Sequence, residues 1–233
     1  MKNPPIHLWS VAAELRPLAG GNRNTVLRTL GLPQDLVFKS TSRSAAALDW
    51  LTPVMDAAEA AGFVVPRLIP SDRGNLSEAG WTAEPFLEGV PATETELQSL
   101  APHILRFQRR ADPLPQRPGF VTARDFLHTT KGGDIDLTVM PDTLAAAITT
   151  ALAALDDRTT IIHSDLAPSN VLMTPDGHNA LIDWDEARRD HPAFDLAQFG
   201  EATEIETRAA LAWEIACCWK TEPERARDLA ECL

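Results

Sequence analysis

The chain has 233 residues, 44% of them hydrophobic, enough for one large domain or two closely packed lobes around a real core. A formal net charge of −12 argues against a nucleic-acid partner, which needs a basic face; it reads as an acidic surface that keeps the protein soluble, and is compatible with a cationic small molecule. No run of about eighteen apolar residues offers a membrane span, and the N-terminus lacks a signal peptide's apolar stretch, so a soluble cytoplasmic protein is expected.

The first third reads as strand and turn. Residues from Trp9 to Leu15 and from Thr25 to Leu30 form two candidate strands around the turn-rich loop Gly20-Gly21-Asn22-Arg23-Asn24. Gly31 and Pro33 mark another turn, and Leu36 to Lys39 is a short third strand. A helical piece is expected from about Ser44 to Leu51. A second helix then starts at Pro53, with Thr52 as its N-cap, and stops at Gly62. Val64 to Ile69 and Trp81 to Phe86 read as strands around a polar turn. Residues 84–89 then switch to a non-periodic connector, a hinge that puts the lobe boundary near residue 89.

The rest reads as mainly helical. Thr93 and Glu96 match a capping box, followed by Leu97, Leu100, Ile104, Phe107 and Gln108 at helical spacing. Residues 112–141, rich in proline and glycine, predict an extended or mobile loop. Asp142 is the expected N-cap of a helix whose Leu144, Ala147, Ile148, Ala151, Leu152 and Leu155 share one face. Residues from Glu204 to Trp219 make a further helix, and Thr221 to Glu224 cap a short last one. Trp213 and Trp219 read as core, with a homodimer surface as the alternative. Cys217, Cys218 and Cys232 have neither zinc-ligand spacing nor a disulfide pattern and read as buried or inert thiols.

Residues 161–196 carry the chemistry. An apolar strand delivers His163-Ser164-Asp165, Asn170 follows five residues later, and a second apolar strand ends in Asp183. Phosphoryl transfer from a Mg-nucleotide uses this order: a carboxylate to orient the acceptor hydroxyl, then an amide and a carboxylate to hold metal. Asp165, in a loop shaped by Pro168, is the candidate base. A hairpin with its turn at Pro175 to Asn179 brings Asn170 and Asp183 together, and that pair with phosphate oxygens suffices for Mg²⁺. His163 is expected to pack inward and bond backbone, and Asp195 to brace the catalytic loop. Asp185 and Glu186 read as exposed turn carboxylates. Lys39 ends a strand after the Gly-Gly loop and is the candidate phosphate lysine. Gly20 and Gly21 could cover phosphates with backbone N–H groups.

These pieces together resemble the aminoglycoside phosphotransferase and choline kinase family, with residues 80–89 similar to a bacterial branch of it. The resemblance implies an α+β, bilobal protein-kinase-like fold. Residues 1–88 would form a small antiparallel-sheet N-lobe, and residues 89–233 a mostly helical C-lobe with a catalytic hairpin. It implies Asp165 as base, Asn170 and Asp183 as Mg²⁺ ligands, Lys39 on the phosphates, and residues 84–88, with Glu84 and Phe86, as the adenine-contacting hinge. The implied reaction moves the γ-phosphate of ATP or GTP to a hydroxyl of a small molecule; a cationic acceptor such as an aminoglycoside or amino alcohol is compatible with the acidic balance. Three departures stand out. Ser164 replaces the family's usual glycine between His and Asp. The helix glutamate that pairs with the phosphate lysine has no counterpart: Ser44 aligns there, leaving Asp49, Asp56 or Glu59 to substitute. With 38 residues after Asp195, the acceptor pocket is expected to be small, open or completed by another chain. The missing glutamate favours a rival reading, a nucleotide-binding pseudokinase acting as a regulatory module. A protein kinase fits less well, since residues 184–194 are too few for an activation segment.

Overall fold

The computed structural model describes residues 3–18, 24–200 and 202–233. Strands β1 (Glu14–Pro17), β2 (Val26–Leu30) and β3 (Leu36–Ser40) form an antiparallel meander. Trp9, expected in a strand, sits instead in a short 3₁₀ turn, Ile6–Trp9. Its indole donates to the Ile69 carbonyl at 2.8 Å and its ring packs edge-on against Phe38.

Ser44 caps helix α1 (Ala45–Asp49) by accepting from the Ala47 amide. Helix α2 (Leu51–Ala61) starts two residues before Pro53, so Thr52 lies inside the helix rather than capping it. Pro53 is harmless there, because first-turn N–H groups have no intrahelical acceptor. Gly62 ends α2 in the left-handed conformation, φ +108°, as glycine readily does.

Strand β4 (Phe63–Val64) is shorter than expected, since Pro66 and Pro70 remove donors from the segment beyond it. Strand β5 (Trp81–Pro85) pairs with β3, giving the sheet order β1-β2-β3-β5. After strand β6 (Val90–Pro91) comes the predicted capping box of Thr93 and Glu96, which opens α3 (Glu94–Ser99). The expected single helix is broken at Leu100 before α4 (Ala101–Ala111), because Pro102 cannot donate to a preceding carbonyl. The apolar stripe survives the break: Leu97, Leu100, Ile104 and Phe107 are all buried.

Residues 112–141 are pinned rather than loose. They hold a capped 3₁₀ turn (Ala123–Leu127) and a hairpin of β7 (Lys131–Gly132) and β8 (Ile135–Asp136), and they bury Phe126, Ile135, Leu137 and Met140. Helix α5 (Asp142–Ala153) follows, with Pro141 rather than Asp142 at the N-cap. Strand β9 (Thr160–Ile162) precedes the hairpin of β10 (Val171–Met173) and β11 (Asn179–Leu181). The hairpin lies in a sheet of order β4-β11-β10-β6, so Phe63–Val64 from the N-terminal third supports it directly. Gly89 is required where the chain crosses β10: a Cβ there would fall 2.8 Å from that of Leu172.

Strand β12 (Arg188–Asp190) returns beside β9, followed by α6 (Ala193–Leu196), α7 (Glu204–Thr221) and α8 (Pro223–Ala230). One core joins α2, α3 and α4 to the hairpin and Trp184, and a second packs α5 and α7 around Trp213. No helix among the described residues is long and apolar enough to cross a membrane.

Candidate active site

The loop that carries Asp165 hangs on Asp195. Its Oδ2 accepts from the His163 amide at 2.9 Å and its Oδ1 from the Ser164 amide at 2.8 Å, with Gln108 at 3.3 Å. Burial raises this carboxyl above its ordinary range, against the pull of His163 and the two amides. His163 is fully enclosed, and its Nε2 lies 2.9 Å from the Ile182 carbonyl. Burial lowers its pKa, so the ring braces the loop as a neutral group.

Ser164 adopts φ +70°, which explains why glycine is usual at this position. Asp165 is exposed beyond it, and its Oδ2 accepts from Asn170 Nδ2 at 2.8 Å. That contact commits the amide nitrogen and turns the Asn170 carbonyl oxygen away from Asp165. The β10–β11 register, with Ile182 N donating to Asn170 O at 3.0 Å, sets Asn170 beside the Asp183 turn. Asp183 is itself left-handed, φ +64°, and its side chain is 42% exposed. Hard oxygen donors from an amide and a half-exposed carboxylate fit a Mg²⁺ that keeps waters and phosphate ligands. Among the described residues no three His, Cys, Asp or Glu side chains gather as a metal cage.

Lys39 reaches Asp183 Oδ1 at 2.9 Å. Burial disfavours its charge, but Glu84 and Asp183 outweigh this and hold it firmly protonated. None of the expected substitutes for the helix glutamate reaches Lys39. Asp56 and Glu59 bind Arg67, and Asp49 is exposed. Asp185 and Glu186, expected as free turn carboxylates, both pair with Arg43, at 3.2 and 3.1 Å. Burial works against the charge of Asp185, yet Arg43 keeps its carboxyl below the usual range.

A cavity of about 300 Å³ is lined by Lys39, Asp165, Asn170 and Asp183 together with Trp213 and Glu214 of α7. Cys218, Glu222 and Arg225 extend the same wall, so α7 and α8 of this chain line that side of the cavity. Cys217 is half-buried and Cys218 buried, whereas Cys232 is exposed rather than enclosed. Glu84 and Phe86 lie off this cavity: Glu84 lines a separate small hollow behind Lys39, and the Phe86 ring is covered by Arg28 at 3.5 Å. Gly20 and Gly21 fall outside the described residues, although Asn24 at the end of their loop donates to Asp185 at 3.2 Å.

Sequence reasoning missed Arg117. Its side chain is 1% exposed. Nη1 donates to the carbonyls of Trp184, Asp185 and Ala187, and Nε donates to that of Ala47. It thus ties α1 to the turn that carries Asp183. Burial pulls its pKa down to about 10. Nothing in a proline-rich stretch marks such an arginine, since its partners are backbone atoms some 70 residues away in each direction.

A small antiparallel sheet over a helical part, with a His-x-Asp loop and the β10–β11 hairpin, is the architecture of kinase-like phosphotransferases. The chain belongs to the phosphotransferase enzyme family, whose model matches residues 14–229. It is similar to the choline kinase LicA from Streptococcus pneumoniae at 14% identity and TM-score 0.63, covering 96% of this chain and 95% of that one. A microcompartment-associated aminopropanol kinase matches at 16% identity and TM-score 0.63, over 97% and 91% of the two chains. A spectinomycin phosphotransferase in complex with ADP and spectinomycin matches at 12% identity and TM-score 0.58, over 96% and 86%. A comparison with curated protein sequences gives no significant match.

Proposed function

We propose that the protein moves the γ-phosphate of ATP or GTP to a hydroxyl of a small, cationic acceptor in the cytoplasm. The observation that carries this is convergence: Lys39 and Asp183, 144 positions apart, share one cavity with Asp165 and Asn170. In this reading residues 1–88 form the lobe facing the nucleotide. The Gly20–Gly21 loop and Lys39 serve its phosphates, and the hinge at 84–88, with Phe86, lies beside its base. Residues 89–233 hold the catalytic loop and the acceptor.

Asp165 takes the proton of the acceptor hydroxyl as the oxygen attacks, and the Asn170 amide holds the carboxylate in place. Asn170 and Asp183 are the residues that would hold Mg²⁺, which supplies neutralisation of the phosphate charge when bound. Lys39 adds a fixed ammonium on the donor side, and positioning in a preorganised field does most of the rest. Among the described residues, six carboxylates line the cavity (Asp165, Asp183, Asp185, Glu186, Glu214 and Glu222) against two lining cations, Lys39 and Arg225, with Arg43 paired to Asp185 and Glu186 from outside it. That balance attracts a cation. The substrates named in two similar structures, choline and aminopropanol, are both amino alcohols.

Calorimetry with ATP and GTP, with and without Mg²⁺, on the wild type and Asp183→Asn tests this reading. Mg²⁺-dependent binding that Asp183→Asn weakens supports it, and no binding of either nucleotide at millimolar concentration sinks it. The pseudokinase reading draws on Ser44, which stands where the helix glutamate aligns and serves as a cap. A cellular phenotype that survives Asp165→Asn would favour that reading.

A further inference from the structure

Among the described residues Lys39 has one direct carboxylate partner, Asp183, and that residue is the one a bound metal would claim. With Ser44 spent on the α1 cap and Asp56 and Glu59 held by Arg67, the helices offer no replacement. The sheet does. In the β3–β5 register Lys39 stands opposite Thr82, and Glu84 lies two residues further along β5 on the same face. Diagonal neighbours of this kind are about 7–8 Å apart along the backbone, close enough for two long side chains to feel each other.

Lys39 and Glu84 line one hollow of about 30 Å³. The charged groups facing Glu84 there are Lys39 from β3 and Asp183 and Asp185 from the turn after β11, while α1 and α2 present Leu48, Leu51 and Met55. The Glu84 carboxylate makes no side-chain hydrogen bond to the described residues. A half-buried carboxylate with one cation in view and no other partner needs a reason to be there.

We propose that Glu84 is the positioning carboxylate for Lys39, supplied by strand β5 in place of a helix glutamate. Glu84 keeps the ammonium aimed at the nucleotide's α- and β-phosphates once Asp183 turns to metal. The inference rests on the reading of Lys39 as the phosphate lysine, and it moves the Glu84 side chain from the base to the phosphates.

The test compares adenosine, ADP and ATP binding by the wild type, Glu84→Gln and Glu84→Asp. Glu84→Gln is expected to weaken ADP and ATP by about tenfold, roughly one lost charge contact, while adenosine binding holds. Glu84→Asp recovers most of the loss, and Glu84→Gln adds nothing in a Lys39→Met background. Equal weakening of adenosine and ADP would place Glu84 on the base and overturn the proposal.

A ligand-free double-mutant cycle on thermal stability decides the pairing independently. Glu84→Gln should raise the melting temperature by about 3 °C more in Lys39→Met than in the wild type, because the lone carboxylate is then relieved. Additive shifts overturn the proposal. Coupling without any ADP binding supports the Glu84–Lys39 pairing and overturns the donor-site reading instead.

Discussion

The hydroxyl of Ser164 accepts a hydrogen bond from Nη1 of Arg188, so a left-handed residue of the catalytic loop is tied to a buried guanidinium that faces the Trp213 ring at 4.2 Å. Nε of the same guanidinium pairs with Asp190 at 2.9 Å, and its Nη2 has no hydrogen-bond partner among the described residues. The loop that carries Asp165 is therefore braced on one side by Asp195 and on the other by Arg188.

Two effects oppose each other at Ser164. The positive φ costs a residue with a Cβ about 1 kcal/mol, and a hydrogen bond to a charged donor is worth about 2 kcal/mol. The bond wins. Ser164→Gly should therefore lower stability by about 1 kcal/mol, and Ser164→Ala, which keeps the strain and loses the bond, by about 2 kcal/mol. Urea unfolding of both variants checks the order. A Gly variant more stable than the wild type would show that Arg188 contributes little here.

Arg117 should matter more than any surface charge. Arg117→Met removes a buried guanidinium donor from four backbone carbonyls, and about 3 kcal/mol of stability should go with it. Arg117→Lys keeps the charge but not the fork, and should fall between the two. The Asp183 turn loosens in both, so Mg²⁺-dependent nucleotide affinity drops along with the melting temperature. A stable Arg117→Met protein with unchanged affinity would refute this.

Asp165→Asn keeps size and the contact to Asn170 but removes the proton acceptor. Phosphate transfer should fall about 10³-fold while ATP affinity stays at the wild-type level. Isotopically labelled ATP with a panel of amino alcohols measures the first quantity and calorimetry the second. Equal loss of both would mean that Asp165 shapes the donor site instead.

Burial pushes the Glu84 carboxyl up to about 6 in the folded protein, from 4.5 when unfolded, despite the attraction of Lys39. The folded state thus binds this proton more tightly than the unfolded state does. The stabilisation is complete below pH 4.5 and is lost as pH rises through 6. Glu84→Gln has no such proton, so its stability should change less than that of the wild type between pH 4.5 and 6. It should also melt no lower at pH 7. Parallel pH profiles for the two proteins would contradict the burial assigned to Glu84.

Much of the catalytic segment was legible because its geometry is local. A short strand, a loop fixed by Pro168 and a tight hairpin leave little freedom in how Asp165, Asn170 and Asp183 converge, and the register of β10 and β11 follows from the turn between them. The cap at Thr93 was readable for the same reason, since a cap spans three residues. Local rules also failed where burial overruled them. Residues 112–141 carry the composition of a loose loop, yet Phe126, Ile135 and Met140 find a core there. Asp185 and Glu186 read as solvent-facing until Arg43 arrives from the other end of the chain.

The sequence by itself determined the order of the chemical groups and the short elements that hold them, because spacing along the backbone sets those distances. Only the tertiary structure decided who their partners are. Arg117 under the Asp183 turn, Arg188 behind Ser164, Glu84 in one hollow with Lys39 and the α7 wall with Trp213 and Glu214 each depend on which face of a packed element meets which neighbour. That choice is made by burying apolar surface across the whole fold, and no window of neighbouring residues contains it.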